Sequence, residues 1–333
     1  MAKNSSTILF SIVLITSTLF VMSSNNWLSS WIGMEMNLMA FIPMMHINNN
    51  NFNSESCMMY FLVQTMGSIL FLMSILLMPM IMTSPIMMNS TMNYLLMTSM
   101  LIKTGLAPFH MWVPEVMNKM NWMNCMLMTT WQKLAPMTVM SSFIYLNKMI
   151  MVPIILSTIM GAMGGINQTS VRKIMAYSSI THSGWMTACM YLEHKMWMMY
   201  MTIYTAMNIT LMVFFKKNAI FYINQIQFVL KTMFNKMNLT FMMMSMSGMP
   251  PFIGFLPKWT VIQALMSEKM MFSMIIMMMS TLMTTFYYLR LMSTIYMMSY
   301  SVNKLMLKEG EKCNNMMFML NMMLPMVTIY SLL

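Results

Sequence analysis

The chain has 333 residues, of which 59% are hydrophobic and only 8% charged, with 18 Lys and Arg against 7 acidic residues for a net charge of +11. A soluble domain carries about 25% charged residues. This composition, with a mean hydropathy of +0.64, therefore excludes a soluble enzyme and points to a chain that crosses a membrane many times.

Apolar runs between polar punctuation, most near the ~20 residues that span a bilayer as helix, predict about eleven helices. They fall at 5–23, 26–45, 56–80, 91–119, 123–146, 150–170, 174–193, 196–215, 239–266, 271–298 and 314–333. The first, "MAKNSSTILFSIVLITSTLFVMSS", has the look of a signal peptide. So many spans follow that it is expected to be a retained helix. The second contains Glu35, about 12 Å along the helix from Trp27 and about 15 Å from Met45 at ~1.5 Å per residue. The fourth holds "LIKTGLAPFHMW", with Lys103, Gly105, Pro108 and His110 in close succession, and the fifth holds "TWQKLAP" with Lys133. The seventh reads "SSITHSGWM" around His182, the ninth contains "SGMPPFIGFLPKW" with Gly248, Pro250, Pro251 and Lys258, and the tenth carries Arg290 near one end. The 216–238 loop, "KKNAIFYINQIQFVLKTMFNKMN", mixes lysines with apolar residues and predicts an amphipathic helix lying at the membrane surface.

Loop charge orients these spans. Lys3, Lys119, Arg172, Lys173, Lys216, Lys217, Lys231, Lys236, Lys304, Lys308 and Lys312 fall on one side, and only Lys148, Lys195 and Lys269 on the other. The N-terminus is thus expected on the positive side. Net charge reads as a topology signal ahead of any affinity for nucleic acid.

A repeat lies inside this plan. "TGLAPF" (104–109) and "SGMPPF" (247–252) share Ser/Thr, Gly, an apolar residue, any residue, Pro and Phe. They occupy the fourth and ninth helices, the same place if counting restarts at the sixth. The expected domains are a five-helix repeat at 1–149, an inverted five-helix repeat at 150–298 that includes the 216–238 loop, and 299–333 with the last helix. The fold class is all-α and polytopic, with two broken helices. Paired interruptions in inverted repeats point to a transport site. Proline lacks an N–H and clashes with the carbonyl four residues back, so Pro108 is expected to free the Thr104 carbonyl and Pro251 that of Ser247. Freed carbonyls inside a membrane must face a protein group or water.

The intramembrane charges follow the same logic. Glu35, Lys103, Lys133 and Lys258 sit too deep to reach water, and a central charge costs at least about 2.5–3.5 kcal/mol. Arg290 is expected to snorkel to the interface. Burial makes an ammonium give up its proton more readily, which suits lysine to a proton path, and a nearby carboxylate opposes that loss. His110 and His182 are candidate relays, although either could simply pack; His46 and His194 fall at helix ends. Glu55, Glu115, Glu193, Glu268, Glu309 and Glu311 lie near helix ends or in loops.

Other chemistries find no footing. Cys57, Cys125, Cys189 and Cys313 form no CxxC pair, and neither a phosphate-binding GxxxxGK[ST] loop nor a strand-borne GxGxxG occurs. No two histidines share haem-ligand spacing on one helix. Met occurs 65 times and Asp not at all. Since Met is an adaptable apolar residue spread over nearly every segment, AT-rich mitochondrial coding, in which ATA reads as Met, accounts for this better than a metal-binding surface.

The stretches "WIGMEMN", "LIKTGLAPFHMWVPEVM", "TWQKLAP", "GGINQTSVRKIMAYSSITHSGWM" and "SGMPPFIGFLPKW" resemble the antiporter-like membrane subunits of mitochondrial respiratory complex I, the NADH:ubiquinone oxidoreductase, in the form found in insects and similar invertebrates. The resemblance implies proton translocation in the inner membrane, with Glu35, Lys103, Lys133, His182 and Lys258 as the functional line. It implies no cofactor and no metal in this chain, since NADH, flavin, iron–sulfur clusters and ubiquinone belong to other parts of the complex. It also implies other membrane-arm subunits and phospholipids as partners and no nucleic acid, with the N-terminus in the matrix and the C-terminus in the intermembrane space. Bacterial relatives carry three further N-terminal helices; both five-helix units are expected to remain without them. Two alternatives share these features, a free-standing cation/proton antiporter and a structural subunit whose charges merely pair.

Overall fold

A computed structural model describes residues 5–46, 51–78, 85–144, 148–192, 196–229 and 233–297. The expected last helix at 314–333 lies outside them, as do Lys3, Lys195, Lys231, Lys304, Lys308, Lys312, Glu193, Glu309, Glu311, His194 and Cys313. The described residues form α1 (Ser5–Ser23), α2 (Trp27–Met45), α3 (Asn51–Leu77), α4 (Pro85–Thr104), α5 (Trp112–Lys119), α6 (Trp122–Thr129), α7 (Trp131–Ser141), α8 (Met151–Ile166), α9 (Val171–Leu192), α10 (Met196–Lys217), α11 (Ile223–Val229), α12 (Met233–Ser247), α13 (Phe255–Ser267) and α14 (Met271–Met297). Among them the sole strand-like pairing is an isolated bridge between Ser170 and Tyr222.

Two compact units divide the chain, Met1–Ser157 and Thr158–Leu333. In the first, α2 packs on α1 and α3, α3 on α4 and α5, and α7 on α1, α2, α4 and α6. In the second, α9 packs on α10 and α13, α10 on α12 and α13, and α14 on α11, α12 and α13.

Four described helices, α1, α3, α10 and α14, are long and apolar enough to cross a membrane. Several other expected spans are divided, which leaves every piece but α4 at 15 residues or fewer. The fourth is cut into α4 and α5. The ninth is cut into α12 and α13. The fifth, expected unbroken over 123–146, is cut into α6 and α7 at Thr130 (φ −109°, ψ −72°) and ends at Ser141. Neither Gly nor Pro marks that cut. The Thr129 and Thr130 hydroxyls bond back to the carbonyls of Cys125 and Met126, a pattern that bends helices.

The 216–238 loop also needs correction. Its middle forms the short α11, but its last residues open α12, whose run from Met233 to Ser247 holds neither Gly nor Pro. Lys236, expected in that surface loop, is a buried residue of α12. The third helix begins at Asn51, ahead of the expected 56, so Glu55 lies within it and pairs with Lys119 at 2.6 Å.

Candidate functional site

Both helix interruptions are built by glycine rather than proline. Gly105 has φ +71° and Gly248 φ +80°, left-handed conformations that only glycine takes without strain. At the first, the Gly105 N–H donates to the Ile102 carbonyl and the Leu106 N–H to Leu101. At the second, the Gly248 N–H donates to Ser245 and the Met249 N–H to Met244. These are matching Schellman caps. The helix thus stops at Thr104 or Ser247, before the prolines are reached; Pro108, after a cis Ala107–Pro108 bond, and Pro250 and Pro251 follow in the connecting turns.

A buried lysine stands beside each stop. Lys103 is in the last turn of α4, 8% exposed. Its own carbonyl accepts a 3.2 Å bond from Gln64 Nε2 on α3, so the carbonyl satisfied at this buried helix end is one residue before that of Thr104, the one expected from proline sterics. One turn along α3, a Cβ on Gly67 would stand 2.8 Å from Lys103 Cγ. Gly67 is the seat of the lysine stem. The ammonium lies 3.8 Å from Met34 Sδ, a weak acceptor. Glu35, next along α2, lies within electrostatic reach of Lys103, and its buried Oε1 has no hydrogen-bond partner among the described residues. Carboxylate and ammonium act on each other without forming an ion pair.

Lys133, 6% exposed, opens α7 just past the Thr130 cut. Its neighbour Gln132 ties three helices: Nε2 donates to Asn37 Oδ1 on α2 at 3.0 Å, and Oε1 accepts from the Tyr60 hydroxyl on α3 at 3.3 Å. His110 is buried in the α4–α5 connection, its Nδ1 3.3 Å from the Pro108 carbonyl. The first unit therefore gathers Glu35 and Lys103, and sets Lys133 on a helix that packs against both of theirs.

In the second unit Lys258, 6% exposed in the first turns of α13, donates a 2.6 Å bond from Nζ to the Ser247 carbonyl. Sequence reasoning expected that carbonyl to be freed; its partner is the nearby lysine. A Cβ on Gly248 would lie 2.8 Å from Lys258 Cδ, so this glycine both turns the chain and seats the lysine. His182, 4% exposed on α9, has its Nδ1 2.9 Å from the Tyr200 hydroxyl, and the Tyr204 ring lies 5.0 Å away at 37°. Asn208 Nδ2 in turn donates to the Tyr204 hydroxyl at 3.1 Å. Arg290, expected to snorkel, directs its guanidinium to the carbonyls of Ile166 and Gln168 at the end of α8.

Met34, Gln64, Gly67, Tyr200 and Tyr204 escaped the sequence reading. Two signals were available. "YFLVQTMGSILF" holds one Gln and one Gly in an otherwise apolar run, and Tyr200, Tyr204 and Asn208 recur every fourth residue, which places them on one helix face.

Residues 24–284 match the family described as "NADH:quinone oxidoreductase/Mrp antiporter, TM". The chain is 40% identical over 332 residues to an NADH-ubiquinone oxidoreductase chain 2 of Anopheles gambiae, covering 98% of this chain and 96% of that one. It is 35% identical over 344 residues to the chain 2 of Bos taurus, covering 98% and 99%. Among solved structures, a chain of respiratory complex I from Thermus thermophilus superposes with a TM-score of 0.82 at 18% identity, covering 89% of this chain and 71% of that chain. A chain of the Mrp complex from Dietzia sp. DQ12-45-1b superposes at 0.76 with 14% identity, covering 86% and 60%.

Proposed function

Since the chain belongs to the NADH-ubiquinone oxidoreductase chain 2 family, we propose that its buried lysines at the helix stops carry the protons that respiratory complex I moves across the membrane. Family membership makes it a multi-pass inner-membrane subunit of a proton-translocating NADH:ubiquinone reductase. The residue roles are our own reading. One observation carries them: in each unit a lysine at most 8% exposed lies against the end of a helix stopped by a left-handed glycine.

In this reading Glu35 sets the charge state of Lys103 across a gap that water can bridge, and Lys133 receives the proton within the same unit. His182 and Lys258 perform holding and release in the second unit, and His110 extends the relay beside the first break. Gly105 and Gly248 supply the breaks, and Pro108, Pro250 and Pro251 keep the connections from re-forming helix. The chain itself holds no redox cofactor or metal. About eleven crossings, arranged as two inverted five-helix repeats, place the N-terminus in the matrix and the C-terminus in the intermembrane space. Its partners are other membrane-arm subunits, antiporter-like neighbours among them, with phospholipid around the remainder.

The free-standing antiporter shares this fold, but a chain covering nearly the whole of its complex I relatives at 35–40% identity favours the complex. The test is substitution of Lys103, Lys133 and Lys258 by Met, one at a time, in the assembled complex. Each is expected to assemble on a native gel and to lose proton pumping in sealed vesicles. Pumping that persists in any assembled variant removes that lysine from the path, and loss of assembly in all three favours purely structural charges.

A further inference from the structure

The His182 pocket holds more than a relay needs for burial alone. The imidazole is clasped from α10 by two tyrosines one turn apart: Tyr200, 1% exposed, reaches Nδ1 at 2.9 Å, and Tyr204, wholly buried, lies against the ring. Asn208, a further turn along, holds the Tyr204 hydroxyl at 3.1 Å. The three residues form one stripe on α10 facing α9, and each step of four residues along a helix returns to the same face.

We propose that Tyr200 is a positioning residue that fixes the tautomer and orientation of His182, so that the neutral ring carries its proton on Nε2. This rests on the reading of His182 as a proton relay. A phenol is a good donor as well as an acceptor. Towards the neutral ring it donates to Nδ1, and the single ring proton is then on Nε2. When the ring gains a second proton, that proton sits on Nδ1, and the hydroxyl turns to accept from it. Tyr200 is thus satisfied in both states, which neither a lysine, a pure donor, nor a carboxylate, a pure acceptor, could achieve. The nitrogen chosen by such a contact is what decides where a histidine passes its proton. Tyr204 and Asn208 stop the ring from turning over, which would exchange the two nitrogens.

The experiment uses assembled complex I whose copy of this chain carries Tyr200→Phe, Tyr204→Phe or His182→Gln. Pumping in sealed vesicles is read beside the isotope-edited infrared ring modes of 15N-labelled histidine, which distinguish the Nδ1–H from the Nε2–H tautomer. We expect Tyr200→Phe to lose about tenfold in pumping rate, the lower end of the effect of removing an orienting partner from a metal-ligating imidazole, and to gain Nδ1–H signal. Tyr204→Phe keeps the ring that packs on the imidazole but loses the Asn208 bond, and is expected to shift pumping and spectrum in the same direction by less; a larger shift than in Tyr200→Phe would overturn the role given to Tyr200. Normal pumping in His182→Gln would overturn the relay reading itself. Loss in His182→Gln, with normal pumping and an unchanged ring spectrum in Tyr200→Phe, would overturn only the positioning role. Should Tyr200→Phe fail to assemble, the parent complex decides by its spectrum: an Nε2–H signature for His182, assigned by its disappearance in His182→Gln, upholds the proposal, and an Nδ1–H signature overturns it.

Discussion

Gly248→Ala tests whether the helix stop and the lysine are one device. At φ +80° an alanine costs about 1–2 kcal/mol for the left-handed backbone. Its Cβ would also stand 2.8 Å from Lys258 Cδ and 2.9 Å from Nζ, distances that force the lysine to move. Moving it breaks the 2.6 Å bond to the Ser247 carbonyl, and a hydrogen bond made by a charged group contributes about 1.5–3 kcal/mol. The two terms together come to about 2.5–5 kcal/mol. The assay is hydrogen exchange by mass spectrometry on the solubilised complex, read on the peptide containing Gly248 and Met249, whose N–H groups close the cap. Local opening should speed exchange by roughly two to four powers of ten. In a Lys258→Met background the same glycine change should cost only the backbone share, about 1–2 kcal/mol, because no ammonium bond is left to lose. An equal acceleration in both backgrounds would refute the idea that Gly248 seats Lys258.

Further outcomes follow from other contacts. Gln64→Leu removes the donor to the Lys103 carbonyl and should destabilise the first unit by about 1–3 kcal/mol for an unsatisfied buried acceptor, seen as a lower thermal midpoint of the assembled complex; an unchanged midpoint would mean that another group satisfies that carbonyl. Arg290→Lys keeps the charge but not the planar fork that grips the carbonyls of Ile166 and Gln168, so exchange at the end of α8 should rise about tenfold, and parent-like exchange there would show the fork to be dispensable. Glu55→Gln breaks an ion pair whose partners are 56% and 27% exposed; its stability effect is expected to stay below about 0.5 kcal/mol, and a larger loss would mark this pair as a real tie between α3 and α5. Cysteine at Lys216 and at Lys269 should label from opposite faces of inner-membrane vesicles, and labelling from one face would break the proposed span order.

The helices were legible because long apolar runs are separated by Lys, Asn and Ser clusters, and the two interruptions because Gly and Pro recur at the same places in matching six-residue motifs. The intramembrane charges stood out for the same reason: Glu35 and Lys133 sit near the middle of apolar runs. Proline nevertheless misled on mechanism. Its steric rule locates a kink four residues upstream, which coincides here with a stop that the left-handed glycine imposes first. The cut at Thr130 was invisible since threonine is common inside spans and bends a helix only when its hydroxyl turns back to a carbonyl. The partners of Arg290 were not legible because depth along a helix says nothing about what lies beside it, and the end of α8 is far away in sequence. Gln64, Gly67 and Tyr200 act through neighbours on other helices, a relation that no single-helix pattern contains.

The Schellman stops have an electrical side. A helix that ends inside a membrane leaves the negative pole of its dipole there, equivalent to roughly half an elementary charge. α4 and α12 end at Thr104 and Ser247, and in the proposed span order both ends lie within the membrane. At the second stop this pole is the Ser247 carbonyl held by Lys258, an oxygen that repels hydroxide and chloride and welcomes ammonium. An ion leak through the second unit, opened by neutralising Lys258, should for that reason remain cation-selective. The lysine is then also the plug that keeps other cations from the seat it occupies.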